Sequence, residues 1–107
     1  MEENIAAMID DLLKLARHTE VVHHIAGRIR LRVLLSGIAI SRGIDLEQIR
    51  THFPGILDIR VNTLVGSVVI KYDQRRIAPE IWTTMSKLRK SPELAPELYQ
   101  RIRSLCV

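Results

Sequence analysis

The chain has 107 residues, 47% hydrophobic and 26% charged, which supports one modest core and excludes wholesale disorder. Its formal net charge is +4, with acids (Glu2, Glu3, Asp10, Asp11) gathered near the N-terminus and a basic middle. The single cysteine, Cys106, excludes an internal disulfide, and no apolar run approaches the roughly 20 residues of a membrane span. Met1-Glu2-Glu3 is acidic where a signal peptide needs positive charge, so a cytoplasmic protein that spans no membrane is expected.

Residues 4 to about 18 have the spacing of a helix: Ile5, Met8, Ile9, Leu12, Leu15 and Ala16 recur at steps of three and four. Acids at its start and Lys14, Arg17 and His18 at its end suit the helix dipole. From Gly27 to Val33 the pattern changes to strict alternation, with Arg28, Arg30 and Arg32 on one side and Ile29, Leu31 and Val33 on the other. That period of two is a strand with one buried and one solvated face, expected from about Glu20 to Val33 with a bend at Gly27. Residues 34 to 43 read as a loop or ragged helical turn. Asp45 is an N-cap candidate, with Gln48 three residues on, for a second helix burying Leu46, Ile49 and Phe53 and stopped by Pro54-Gly55.

Ile56 to Asn62 and Ser67 to Tyr72 alternate as two further strands, close enough only for a hairpin, with Gly66 available for a positive φ. A third helix is expected from Ala78-Pro79, with Ile81, Met85 and Leu88 as its stripe, Trp82 capping the core and Ser91-Pro92 ending it. Leu98, Ile102 and Leu105 define a fourth helix over Pro96 to Leu105, and Cys106 beyond it reads as flexible. The inner elements make β-α-β-β-α, an α+β, ferredoxin-like unit with an antiparallel sheet whose usual fourth strand is weak or replaced by the C-terminal helix. The expected organisation is an N-terminal amphipathic helix (1–19), a ferredoxin-fold domain (20–90) and a C-terminal helix (91–107).

Three segments carry a family resemblance: His24-Ile25-Ala26-Gly27-Arg28-Ile29-Arg30-Leu31-Arg32, Pro54-Gly55-Ile56-Leu57-Asp58-Ile59-Arg60-Val61-Asn62, and Gly66-Ser67-Val68-Val69-Ile70-Lys71-Tyr72-Asp73. In order and spacing, over about residues 21 to 90, the chain resembles heavy-metal-associated (HMA-like) domains of the divergent branch without the cysteine pair. The resemblance implies a ferredoxin-like fold and a role in metal homeostasis, iron handling included. Such domains occur within or beside metal-transporting P-type ATPases, so a transporter or a component of a metal-storage assembly is the implied partner, and a location peripheral to a membrane-bound transporter or compartment follows. Metal-carrying members place Cys-x-x-Cys after the first strand. Here that loop is Leu34-Leu35-Ser36-Gly37-Ile38, which lacks the soft thiolates that hold Cu(I).

The candidate metal ligands are His23 and His24, joined by His18 or Glu20, and the candidate ions are divalent iron or zinc. Adjacent histidines on a strand point to opposite faces, so the pair is either structural or part of a site completed across an oligomer interface. Arg28, Arg30, Arg32, Arg60 and Lys71 are expected to share the sheet face opposite the helices, where they would either be solvated or paired with Asp58 and the acids of the N-terminal helix, or meet an anion or an acidic partner. The outward strand positions lack aromatic residues, which argues against sequence-specific nucleic-acid binding. The stripe Ile5, Met8, Ile9, Leu12 and Leu15 exceeds what a three-stranded domain needs. It is expected either to pack on its own domain, folding back on the bare sheet face included, or to extend from the core and mediate self-association or docking. No catalytic set of nucleophile, base and orienting acid is present in the sequence pattern, so no enzymatic activity is expected.

Overall fold

The computed structural model describes residues 2–107. In chain order the elements are α1 (Glu2–Ala16), β1 (Thr19–Ile25), β2 (Arg28–Val33), α2 (Ile38–Arg42, entered through a 3-10 turn at Leu35–Gly37), α3 (Leu46–His52), β3 (Ile56–Asn62), β4 (Ser67–Tyr72), α4 (Pro79–Ser86) and α5 (Ala95–Leu105). The strands form one four-stranded antiparallel sheet in the order β1-β2-β4-β3. With β4 inserted between the parallel pair β2 and β3, residues 28 to 72 make the expected split β-α-β, and the fold is α+β and ferredoxin-like.

The fourth strand is found on the N-terminal side of the unit. The stretch expected as one bent strand is instead two, β1 and β2, reversed at Ala26-Gly27. A continuous strand over residues 20 to 33 would run about 46 Å at 3.3 Å per residue, whereas the longest dimension of the molecule is 32 Å. Gly27 makes the reversal with φ +90°, a value that side-chain-bearing residues rarely adopt, and its carbonyl accepts the Tyr72 N–H at 2.9 Å. Gly66 does the same work in the β3–β4 turn at φ +65°. β1 thus lies on the outer side of β2, so the fourth strand comes from the N-terminal side and is neither weak nor replaced by the C-terminal helix.

Directly opposed residues share a sheet face. On the inner face His24, Ile29, Ile70 and Ile59 form one row and Val21, Leu31, Val68 and Val61 the next. The helices cover this side. Asp45 caps α3 by accepting the N–H groups of Glu47 and Gln48, and Ile49 and Phe53 beyond it are buried. Tyr72 faces inward, as alternation requires, and its ring lies 5.2 Å from that of buried Trp82.

The N-terminal helix does not extend from the core. Ile5, Met8, Ile9, Leu13 and Ala16 are buried in the same cluster as the sheet and α5, with Leu12 and Leu15 half-buried against it. α1 packs in the helix layer against α3, α4 and α5, not on the bare sheet face, and Arg103 of α5 pairs with Glu2. Its stripe is therefore internal surface. Cys106, expected to be flexible, is also buried, and burial raises its thiol pKa. Beyond it the Val107 N–H donates to the His52 carbonyl at 2.9 Å while His52 Nδ1 bonds the Val107 carbonyl oxygen at 2.7 Å, tying this segment to α3.

Burying Ile5, Met8, Ile9 and Leu13 contributes about 1.5–3 kcal/mol each, comparable in sum to the 5–15 kcal/mol of a typical domain. Deleting residues 1–17 is therefore expected to abolish cooperative thermal unfolding, measured by circular dichroism. A truncated protein that melts cooperatively at an unchanged temperature would remove α1 from the core.

Candidate functional site

The side of the sheet away from the helices is uncovered, and the register arranges its side chains in three rows. Ile25, Arg28, Lys71 and Asp58 make the first, His23, Arg30, Val69 and Arg60 the second, and Glu20, Arg32, Ser67 and Asn62 the third. The five cations expected on this face are all there, and all five are exposed. Its two acids are already engaged: Glu20 pairs with Arg32 and, at 3.0 Å, with Arg89, while Asp58 lies 3.1 Å from Arg60. These arginines hold the Glu20 carboxyl below its usual pKa, the Arg32 hydrogen bond contributing most. Among the described residues Arg28, Arg30 and Lys71 have no ion-pair partner.

The histidines do face opposite ways, and a bulge decides which way each points. The β1–β2 register slips between Val21 and His23, inserting Val22 as an extra residue. His23, opposite Arg30, consequently lies on the exposed face, and His24, opposite Ile29, turns toward the core. His24 Nε2 is 2.7 Å from the Tyr72 hydroxyl, a partner that alternation alone could not assign. Desolvation, with a smaller contribution from His23, lowers the His24 pKa below 6.5. A neutral imidazole with its proton on Nδ1 can accept the Tyr72 O–H, and burial favours that neutral state.

His18 sits at the far end of β1, five residues or about 17 Å along the strand from His23, with Nδ1 2.8 Å from Ser36 Oγ. Glu20 is committed to arginines. Thus His18, Glu20, His23 and His24 are not drawn into one chelating set, and no group of three or more His, Cys, Asp or Glu among the described residues is placed to hold a metal ion. Among the described residues these side chains do not by themselves fit a resident metal.

Between the inner sheet face and α1, α3 and α4 lies a cavity of about 90 Å³, walled by Leu12, Leu31, Ile44, Trp82 and other apolar residues and by no titratable group. Its three hydroxyls, on Thr19, Ser41 and Ser86, each donate to a backbone carbonyl. No helix is long and apolar enough to cross a membrane among the described residues.

Over residues 12–102 the sequence matches the family described as heavy metal associated domain 2, and the chain belongs to that family. The match reaches beyond the three signature segments into α1 and α5, the helices that share the core. No curated protein and no solved structure matches the chain.

Because the folded state lowers the His24 pKa, the unfolded chain binds the proton more readily. The stabilising contribution is complete above about pH 6.5 and is lost as pH falls through the lower folded value. Chemical denaturation between pH 7.5 and 5 (an ordinary histidine window) should show stability declining toward acid, with a flatter profile in His24→Gln. Parallel profiles for the two proteins would contradict the assignment.

Proposed function

We propose that this protein is a small, non-enzymatic accessory domain of metal homeostasis, iron included, that works with a metal transporter or a metal-storage assembly through protein contact. The observation that carries the reading is the family match across the fold, joined to a chain with no chelating cluster of its own among the described residues. Such a domain acts on the machinery that moves or stores metal without carrying the ion. Where an Fe(II) or Zn(II) ion does enter, exposed His23 is the ligand this chain offers and a second chain supplies the remainder, since one imidazole is far short of the three or four ligands a divalent site needs. Self-association through α1 has less support, because its apolar stripe is spent in the core.

Calorimetry of the isolated chain with Fe(II), Zn(II) or Co(II) is expected to show no uptake at micromolar metal, while removal of the gene from its host changes cellular iron or zinc content under metal excess or starvation. Tight uptake by the isolated chain, lost in His23→Ala or His24→Ala, would contradict the accessory reading in favour of a carrier. Unchanged metal contents in both conditions would contradict a role in homeostasis.

A further inference from the structure

Arg28 of β2 and Lys71 of β4 stand directly opposite each other in the central strand pair, and Arg30 lies one row along on the same face. Like charges opposed across a sheet destabilise it, and a face that had only to be solvated would gain nothing from the arrangement. Within the central pair β2–β4 no acid answers it, since no Asp or Glu occurs from Val21 to Ile44 or from Ile59 to Tyr72, and Asp58, opposite Lys71 on β3, is bonded to Arg60. Both acids on the face are taken by Arg32 and Arg60. Beside the three free cations lie apolar side chains, half-buried Val69 and Ile25, the latter 53% exposed.

We infer that the open sheet face, through Arg28, Arg30 and Lys71 with Ile25 and Val69 between and beside them, is the docking surface for an acidic segment of a partner protein. Charge complementarity names the occupant's chemistry. Carboxylates about 5–7 Å apart, the spacing of neighbouring strands and of alternate residues along one, meet the cations, and an apolar side chain between them covers Val69. The inference stands on sheet register and charge and is independent of any role in metal homeostasis.

Three other occupants fit the face less well. Single-stranded nucleic acid binds sheets by stacking bases on aromatic side chains, and the strand aromatic, Tyr72, is buried on the other side. A bilayer takes apolar projections and cations together, yet the most exposed large apolar side chains, Leu35 and Leu64, lie in turns outside the strands of this face. A second copy docked face to face by a two-fold axis would set these cations against themselves.

The test uses the whole chain and a fluorescein-labelled octaglutamate peptide as probe, followed by anisotropy at low and at about 0.15 M salt. The triple variant Arg28→Ala/Arg30→Ala/Lys71→Ala is expected to weaken binding on the order of tenfold, while Lys90→Ala, which removes an exposed charge elsewhere, changes it less than about twofold. Lys71→Thr separates the surface from mere folding. It should weaken peptide binding while leaving Tm within about 5 °C of the parent's, because Lys71 is flanked by Arg28 on one side and Asp58 on the other and its loss removes one unfavourable and one favourable pair. Equal losses in the triple variant and Lys90→Ala would overturn the proposal. So would tighter binding, at the same salt, to a DNA duplex or to phosphatidylserine vesicles than to the peptide, or a dimer of the free protein that Arg30→Ala dissolves.

Discussion

The reversal at Ala26-Gly27 is the constraint on which the rest of the molecule turns. Gly27, at φ +90°, lets the chain run back on itself within two residues, so that β1 pairs with β2 along its length. That places β1 at the edge of a split β-α-β unit that would otherwise stop at three strands. It also fixes where α1 can go. With His18 N–H bonded to Leu15 O and Leu34 N–H to His18 O, the turn into β1 is anchored beside the end of β2, and the preceding helix lies over the inner side of the sheet. α1 then completes a layer that the short α2, α3 and α4 cover incompletely.

Filling that layer has a consequence for the other face. The helices pack on one side, so the outer side is left open, and the alternation of β2 puts a line of arginines there. A sheet exposed on one face is ordinary for antiparallel strands. What distinguishes this face is its charge balance: two acids, each already engaged, against five cations, two of them opposed across β2 and β4. The family match assigns the fold to heavy metal associated domain 2, but the loop after β2 offers Leu34, Leu35 and Ser36 where a metal carrier needs soft ligands. Among the described residues no group of ligands is placed to hold an ion, and the proposal of an acidic partner rests on this open face.

Much of the architecture was legible because periodicity reports burial. The alternation in β2, β3 and β4, the Asp45 cap, the stop at Pro54-Gly55 and the inward turn of Tyr72 are local signals that packing does not override. β1 was not legible as a separate strand, since Glu20 to Ile25 carries neither clear alternation nor a strong turn dipeptide before Gly27, and its bulge at Val22 breaks the pattern further. That same bulge hid the environments of His23 and His24. Whether α1 packs on its own domain or on another molecule is not legible, because an amphipathic stripe states that a helix is covered on one side without naming what covers it. Cys106 was misread for a related reason: position near a chain end says little about burial once the segment is bonded to α3. The cations of the outer face were assigned from alternation, but the opposition of Arg28 to Lys71 is a matter of register and only the structure supplies it.

The hairpin is the element whose absence would undo the account, because the bulge, the fate of the histidines and the position of α1 all follow from it. Nuclear Overhauser contacts between backbone protons of β1 and β2 test it directly in solution. The structure predicts contacts linking Thr19 to Val33, His24 to Ile29 and Ile25 to Arg28, alongside those linking Ile29 to Ile70 across β2 and β4. Sequential contacts of an unbroken extended strand through Ala26 and Gly27, with no cross-strand contacts between β1 and β2, would contradict it.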